Sequence, residues 1–405
     1  MFESINSLPL ISGILSIISG PRQELNELMF TQRTQKQIHL KSTTMNFKLL
    51  LLLLFVRMAS MAQDLNNVQF PHMQKITARK EIKIPNIRGY QTLKCDFHIH
   101  TIFSDGDVWP TVRVQEAWKE GLDAIAITDH IEKQPSKKYV GGDHNASYEI
   151  AQEEANEKNI LLIRAGEVTR SMPPGHLNAL FLDDVNPLDT QDPFDALLAA
   201  KKQGAFIIWN HPGWKAQQPD TCLWMPMHQE LFEKDLINGI EVFNEQEYYP
   251  IVLDWCLNRN ISVISNSDIH DVAGYFYDLE KEHRPMTLVF AKERNLQSLK
   301  EAMFEHRTLA YFNNKLAGKK ELLEAIFKAS ISAEPTGKTD NKNRELYEVK
   351  NISSIPFIVE NMKGQVVTIP AESTLVLPLE LSDYQELTVQ NLYTGSRSVL
   401  HVNMP

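Results

Sequence analysis

The chain has 405 residues, enough for two domains, and its 43% hydrophobic and 23% charged residues exclude wholesale disorder. A formal charge of −10 excludes a nucleic-acid backbone as the main partner, since phosphate backbones need a basic surface. Cys95, Cys222 and Cys256 lack any CxxC spacing, so they read as packed thiols and not as a disulfide framework.

In chain order, the first readable segment is an address label. Met45-Asn46-Phe47-Lys48 precedes the apolar run Leu49 to Val56, and Ala59-Ser60-Met61-Ala62 follows before Gln63. A positive start, a short apolar core and small residues before a cut predict a signal peptide over 45–62. The run is too short to span a bilayer, and no cysteine follows the cut, so no membrane anchor is expected after cleavage. Residues 1–44 then read as an upstream extension from a mis-assigned start.

Beyond a polar lead-in, short apolar runs predict strands at Leu93–His98, Ala124–Thr128, Ile160–Ala165, Ala179–Leu182, Phe206–Trp209, Gly239–Phe243, Ile261–Ser265 and Met286–Phe290. Helical spacing lies between several of them, at Thr111–Glu120, Tyr148–Lys158, Phe194–Gln203, Tyr249–Asn258 and Leu296–His306. This alternation predicts an α/β fold around a mainly parallel sheet, and the number of units favours a closed barrel. There is no GxGxxG or GxxxxGK[ST], so nucleotide-binding folds have no positive signal. Leu322–Ala329 still reads as helix, whereas Ala333–Arg344, with Pro335 and Gly337, reads as a loop or linker. Short β-like segments from Leu346 to Val402 predict a small sandwich, giving a barrel over 63–320 and a linker with β-sandwich-like domain over 321–405.

The chemistry gathers at the predicted strand ends. On the first strand, alternation is expected to turn Asp96, His98 and His100 to one face and Cys95, Phe97 and Ile99 to the other. Asp105 follows in the loop. The second strand ends in Thr128-Asp129-His130, and the third runs to Glu167, with His176 after Pro173-Pro174-Gly175. Asn210-His211-Pro212-Gly213 and Ser267-Asp268-Ile269-His270 close two further strands. Barrel active sites are built where the carboxyl ends of strands converge, and His, Asp and Glu together suit a transition-metal site. Each residue also has a structural reading: His211 as a satisfied histidine, Asp129 as a helix cap, Glu167 as half of an ion pair. One metal cluster explains the whole set more simply. Arg170 and Arg284 are candidate phosphate clamps, and Trp214 is a candidate substrate wall. Arg164 and Lys215 complete the nearby cations. No Ser or Cys nucleophile motif is present, which favours direct attack by a metal-bound hydroxide. His144 and His283 read as structural.

The ordered motifs resemble those of the polymerase-and-histidinol-phosphatase (PHP) superfamily over about Leu93 to Phe312. They are His98-x-His100-Thr101-x-x-Ser104-Asp105-Gly106, then Gly121-Leu122-Asp123-x-Ile125-Ala126-Ile127-Thr128-Asp129-His130, Glu167, Pro174-Gly175-His176, Asn210-His211-Pro212 and Ser267-Asp268-x-His270. With an export signal and a β-type tail, the chain looks most like the secreted Sb-PDE-like phosphodiesterase branch. The resemblance implies a distorted (β/α)7 barrel holding up to three divalent ions, Zn, Mn or Fe. It implies His98, His100, Glu167 and Asp268 around a first metal, with Glu167 bridging to a second held by His176 and His211. Asp105, His130 and His270 would hold a third, and Glu167, Asp268 and His270 carry the catalytic roles. Asp96 and Asp129 are expected to orient ligand imidazoles. The expected activity is hydrolysis of small phosphodiesters, with a histidinol-phosphatase-type monoesterase or an amidohydrolase-like enzyme as alternatives. An amidohydrolase often bridges its metals with a strand-end Lys, where this chain has Glu167.

Overall fold

The computed structural model describes residues 46–54, 78–380 and 386–403. The expected extension over 1–44 and most of the expected signal peptide lie outside the described residues, although 46–54 are helical. No described helix is long and apolar enough to cross a membrane. The chain divides into two compact units, Met1–Ile76 and Thr77–Pro405, and everything below concerns the second.

Its frame is a large mixed sheet flanked by helices. The strands that position the site are β1 (Gln91–Ile99), β2 (Ala124–Ile127), β3 (Leu161–Thr169), β4 (His176–Leu180), β5 (Phe206–Trp209), β6 (Gly239–Asn244), β7 (Glu247–Tyr248), β8 (Ser262–Asn266) and β9 (Met286–Ala291). β1, β2 and β3 pair in parallel, as do β5, β6 and β8, while β4 runs antiparallel between β3 and β5, and β9 antiparallel to β1. Where β8 meets β9 the curled sheet is stitched through a side chain: Ser265 N donates to Thr287 Oγ1 at 2.9 Å, and that hydroxyl donates to Ser265 O at 2.9 Å. The expected α/β barrel is therefore present, distorted by two antiparallel strands.

The helices α1 (Pro110–Glu120), α2 (Ala146–Lys158), α3 (Pro193–Lys202), α4 (Pro226–Glu233), α5 (Pro250–Arg259), α6 (Ala273–Phe276), α7 (Leu296–Phe304) and α8 (Lys320–Ser330) complete the unit. Local chemistry sets their ends. Gly121 terminates α1 at φ 90°, a left-handed conformation that glycine adopts without strain, and the Asp192 side chain accepts from Phe194 N at the start of α3. Val114 and Ala117 of α1 pack on Ile125 and Ile127, whose strand Ala-Ile-Ala-Ile is buried on both faces, as a parallel strand under helices must be.

Strict alternation along β1 does not hold. Leu93, Cys95 and Phe97 pack in one cluster with Ala124, Ile163, Phe206 and Ile264, closed by Leu299 and Met303 of α7. Ile99 packs in a different cluster, with Ile125, Ile127 and α1. The β1–β2 register shifts between Asp96 and Ile99, and such a bulge reverses which residues share a face. The bulge lets His98 and His100 follow Phe97 toward the barrel axis.

The remaining strands are β10 (Thr308–Phe312), β11 (Lys315–Gly318), β12 (Ile331–Thr339), β13 (Glu345–Asn351), β14 (Phe357–Glu360), β15 (Val366–Ile369), β16 (Ser373–Pro378), β17 (Leu387–Gly395) and β18 (Ser398–Val402). β12, β13 and β16 form a separate antiparallel sheet. β14, β15, β17 and β18 instead extend the main sheet, because β17 pairs in parallel with β11 through Leu316↔Leu392 and Ala317↔Tyr393. The linker expected at 333–344 is corrected: Ala333 to Thr339 belong to β12, with Pro335 and Gly337 accommodated where the β12–β13 register is irregular.

Candidate metal centre

Six imidazoles and three carboxylates come together at the carboxyl ends of β1, β2, β3, β5 and β8: His98, His100, Asp105, His130, Glu167, His176, His211, Asp268 and His270. These are the nine positions expected as ligands. Ligand atoms lie within 4.8 Å of one another in four overlapping groups: His100, Asp105, His130 and His270; His98, His100 and Glu167; His98, His211 and Asp268; and His130, Glu167 and His176. His211 thus groups with His98 and Asp268, although its ring centroid is also 4.9 Å from that of His176.

Glu167 is the hub. Its carboxylate is fully buried, with Oε1 3.4 Å from His98 Nε2 and 3.1 Å from His176 Nδ1, and Oε2 3.5 Å from His100 Nε2 and 2.6 Å from His130 Nδ1. Asp268 Oδ1 stands 3.1 Å from both His98 Nε2 and His100 Nε2. Asp105 Oδ1 lies 3.3 Å from His130 Nε2 and 3.2 Å from His270 Nε2. Despite this proximity, His98 Nε2, His100 Nε2, Asp105 Oδ1, Glu167 Oε2 and His176 Nδ1 are buried without a well-formed hydrogen bond. Lone pairs that converge while lacking donors fit divalent cations, and a mixed imidazole and carboxylate set suits transition-metal ions. The residues fit the group that the motifs imply.

Electrostatics agrees. Burial opposes charge on His130, but Glu167 and Asp105 outweigh it and raise its pKa to about 10. Burial likewise opposes charge on Glu167, and the imidazoles of His130, His98 and His176 hold its carboxyl well below the usual range. His100 is lowered to about 3, by burial and by His130 and His270 at its flanks. Without a cation, protons shared among these rings balance the carboxylates, so loading the site must release protons.

A second layer holds the ligands, and sequence reasoning missed most of it. Glu241, buried in β6, accepts from His98 Nδ1 at 2.9 Å, Asn266 Nδ2 at 2.9 Å, His211 N at 2.7 Å and Asn244 Nδ2 at 2.8 Å. It fixes the His98 ring and the His211 backbone together. The available signal was one carboxylate inside the apolar strand Gly-Ile-Glu-Val-Phe-Asn. Arg113 of α1, also buried, donates to the carbonyls of His100 at 2.8 Å, His270 at 2.5 Å and Asp271 at 2.7 Å, tying two ligand loops to one guanidinium. Gly106 lets its own loop close, since a Cβ there would stand 2.8 Å from His100 C and Thr101 N. Asp129 reaches His100 only through Ser104, from whose Oγ it accepts at 2.8 Å, Ser104 Oγ lying 3.3 Å from His100 Nδ1. Among the described residues Asp96 makes no hydrogen bond to an imidazole ring; it accepts from Ser267 N at 3.1 Å and Oγ at 2.5 Å, beside Asp268.

The centre opens into a cavity of about 210 Å³ lined also by Lys133, Trp214, Asn244, Glu245 and Glu247. Trp214 stands where a substrate wall was expected, 42% exposed and 5.4 Å from the His211 ring. The expected clamps are elsewhere. Arg284 is fully buried in an ion pair with Glu120 and Asp96, and does not line the cavity. Arg170 is tied to Glu132 and to the carbonyls of Thr169 and Thr190. Arg164 bonds Asn145 and covers the Tyr148 ring. Apart from the clustered imidazoles, the cationic side chain that does line the cavity is Lys133, bonded to Asp105. A wider groove of about 410 Å³ runs past Arg79, Lys80, Lys83 and Lys94, but each of these cations already bonds a carboxylate or a carbonyl.

The chain is 40% identical to a two-domain protein from Bacteroides vulgatus that contains a predicted PHP-like metal-dependent phosphoesterase. The match covers 82% of this chain and 99% of that one, with a TM-score of 0.76. The chain belongs to the PHP-like metal-dependent phosphoesterases. Two further structures match less of this PHP-like chain. A candidate metal-dependent phosphoesterase from Bifidobacterium adolescentis has 17% identity over 44% of this chain and 87% of its own, with a TM-score of 0.35. An amidohydrolase from Chromobacterium violaceum, solved with sulfate and no metal, has 15% identity over 44% of this chain and 88% of its own, with a TM-score of 0.34. No protein-family model and no curated protein matches the chain.

Proposed function

We propose that this PHP-like protein is an exported phosphodiesterase whose nine-residue set holds up to three divalent ions, Zn, Mn or Fe. Divalent ions in such a set supply a water nucleophile ionised at neutral pH and positive charge opposite the non-bridging phosphoryl oxygens. The chain's own residues do the rest. Glu167 and Asp268 would hold the cations, while Glu241 and Arg113 keep the loops that carry the candidate ligands in register. His270, at 32% side-chain exposure the most open of the six imidazoles, stands at the mouth beside Asp105. Trp214, exposed on the cavity, would form one wall beside a bound ester. Export rests on the apolar run Leu49 to Val56, and amino-terminal sequencing of mature protein is expected to start near Gln63.

The observation that carries the ester class is the cavity's poverty in Lys and Arg outside the candidate metal ligands: Lys133 is the one such side chain among its lining residues. A monoester carries nearly two negative charges at neutral pH and a diester one, so the monoester depends more on added cations. With p-nitrophenyl mono-, di- and triesters and metal-loaded protein, the diester is expected to turn over at least as fast as the monoester. A strong monoester preference would overturn the diester reading.

A further inference from the structure

We infer, building on the phosphoesterase reading of the site, that Glu245 acts as a charge filter. It penalises esters that bring a second negative charge into the cavity and favours those with a cationic substituent.

Glu245 sits in the two-residue turn Glu245-Gln246 between β6 and β7, where Asn244 pairs with Glu247. Its φ of 46° is left-handed, a conformation glycine or asparagine would take at lower cost. The turn is held there from three sides. Tyr277 Oη donates to Glu245 O at 3.4 Å, Gln246 Nε2 donates to Phe276 O at 3.5 Å, and Asn244 Nδ2 donates to Glu241 at 2.8 Å. Glu245 lines the metal-centre cavity, yet among the described residues its carboxylate has no hydrogen bond or ion pair. Its neighbour Glu247 differs, accepting from Tyr249 Oη at 2.6 Å, and so is already engaged.

A strained, half-buried and unpartnered carboxylate facing a reaction cavity has no structural role in sight. Burial, with Asp268 nearby, raises its pKa to about 7, and divalent cations bound at the adjoining residues would favour its ionised form. An ionised carboxylate in a confined, partly desolvated cavity repels a second phosphoryl charge and attracts an ammonium group. Trp214, exposed on the same cavity, offers an aromatic face to that ammonium. Lys133 does not cancel Glu245, because its ammonium is engaged by Asp105.

The test uses the full metal-loaded chain and three probes of falling negative charge: p-nitrophenyl phosphate, bis(p-nitrophenyl) phosphate and p-nitrophenyl phosphorylcholine. Glu245→Gln is expected to raise kcat/KM for the monoester about tenfold relative to the bis ester, and to lower it by a similar factor for the choline ester. Glu245→Lys is expected to widen both changes. Calorimetry with inorganic phosphate reads binding without turnover, and the Gln variant is expected to bind it about tenfold more tightly. The inference is overturned if the order of the three esters and the phosphate affinity are the same in wild type and Glu245→Gln. It is also overturned if elemental analysis shows that the variant loses metal, since Glu245 would then be a ligand. Wild type that binds metal and phosphate but hydrolyses none of the three esters sinks the phosphoesterase reading, while phosphate affinity still decides the role of Glu245.

Discussion

Glu167→Gln is expected to lose activity on the order of 10³-fold or more, beyond the roughly 10–100-fold typical when a partner outside the ligand shell is removed. The substitution keeps the shape and removes the charge. Four imidazoles within 3.5 Å then face an amide that cannot bridge cations as a carboxylate does. Metal content by elemental analysis should fall with activity, while circular dichroism stays native. A Gln variant that kept both metal and turnover would remove Glu167 from the centre. The metal-free proteins supply a second readout with a defined sign. In wild type the folded-state pKa of His130 is raised from 6.5 to about 10, with burial opposing the shift and Glu167 the larger of the two carboxylates driving it. A raised pKa contributes stability that is fully present below pH 6.5 and is lost as pH rises through about 10. Chelated wild type should therefore lose melting temperature across that window, and Glu167→Gln should lose less because the larger of the two charges that raise His130 is gone.

The clustering of these nine side chains was legible because it is local. Most of these residues lie in or just beyond the last residues of an apolar strand, which places them at one face of the barrel whatever the distant packing does. His176 instead opens β4, whose antiparallel run brings its first residue to the same face. The resemblance rested on the same short motifs. What stayed hidden depends on partners far away in sequence. Arg284 and Arg170 have the chemistry of a phosphate clamp, but Glu120, 164 positions from Arg284, and Glu132 claim them. Glu241 reads as an ordinary strand carboxylate until His98, 143 positions away, is seen to donate to it. The bulge in β1 leaves no compositional trace, and alternation alone put Ile99 on the wrong face. Pro335 and Gly337 signal a break, yet an edge strand tolerates both where its pairing is irregular. The parallel pairing of β11 with β17 joins residues some 76 positions apart, and nothing local announces it.

Arg284→Met is expected to destabilise the fold by roughly 3–5 kcal/mol and to lower the melting temperature on the order of 10 °C. The guanidinium is fully buried and grips Glu120 in two parallel bonds, Nε to Oε2 at 2.7 Å and Nη2 to Oε1 at 2.6 Å, with Nη1 3.1 Å from Asp96 Oδ2. Removing it leaves two carboxylates in the protein interior. Burial already pushes the Asp96 carboxyl up with Arg284 beside it, so Asp96 can answer the loss by taking a proton. Most of the penalty then falls on Glu120, and Arg284→Met with Glu120→Gln should recover a large part of the lost stability. A protonated Asp96 also accepts less well from Ser267 N and Oγ, which loosens the loop carrying Asp268, so metal affinity should fall with stability. The clamp reading expects the reverse pattern: unchanged melting, unchanged metal content, and a raised KM for anionic esters. A variant that melts like wild type but binds ester poorly would return Arg284 to the substrate. A variant that melts low, is rescued by Glu120→Gln and keeps its KM once metal is restored fixes it as the buried brace between α1 and the Asp268 loop.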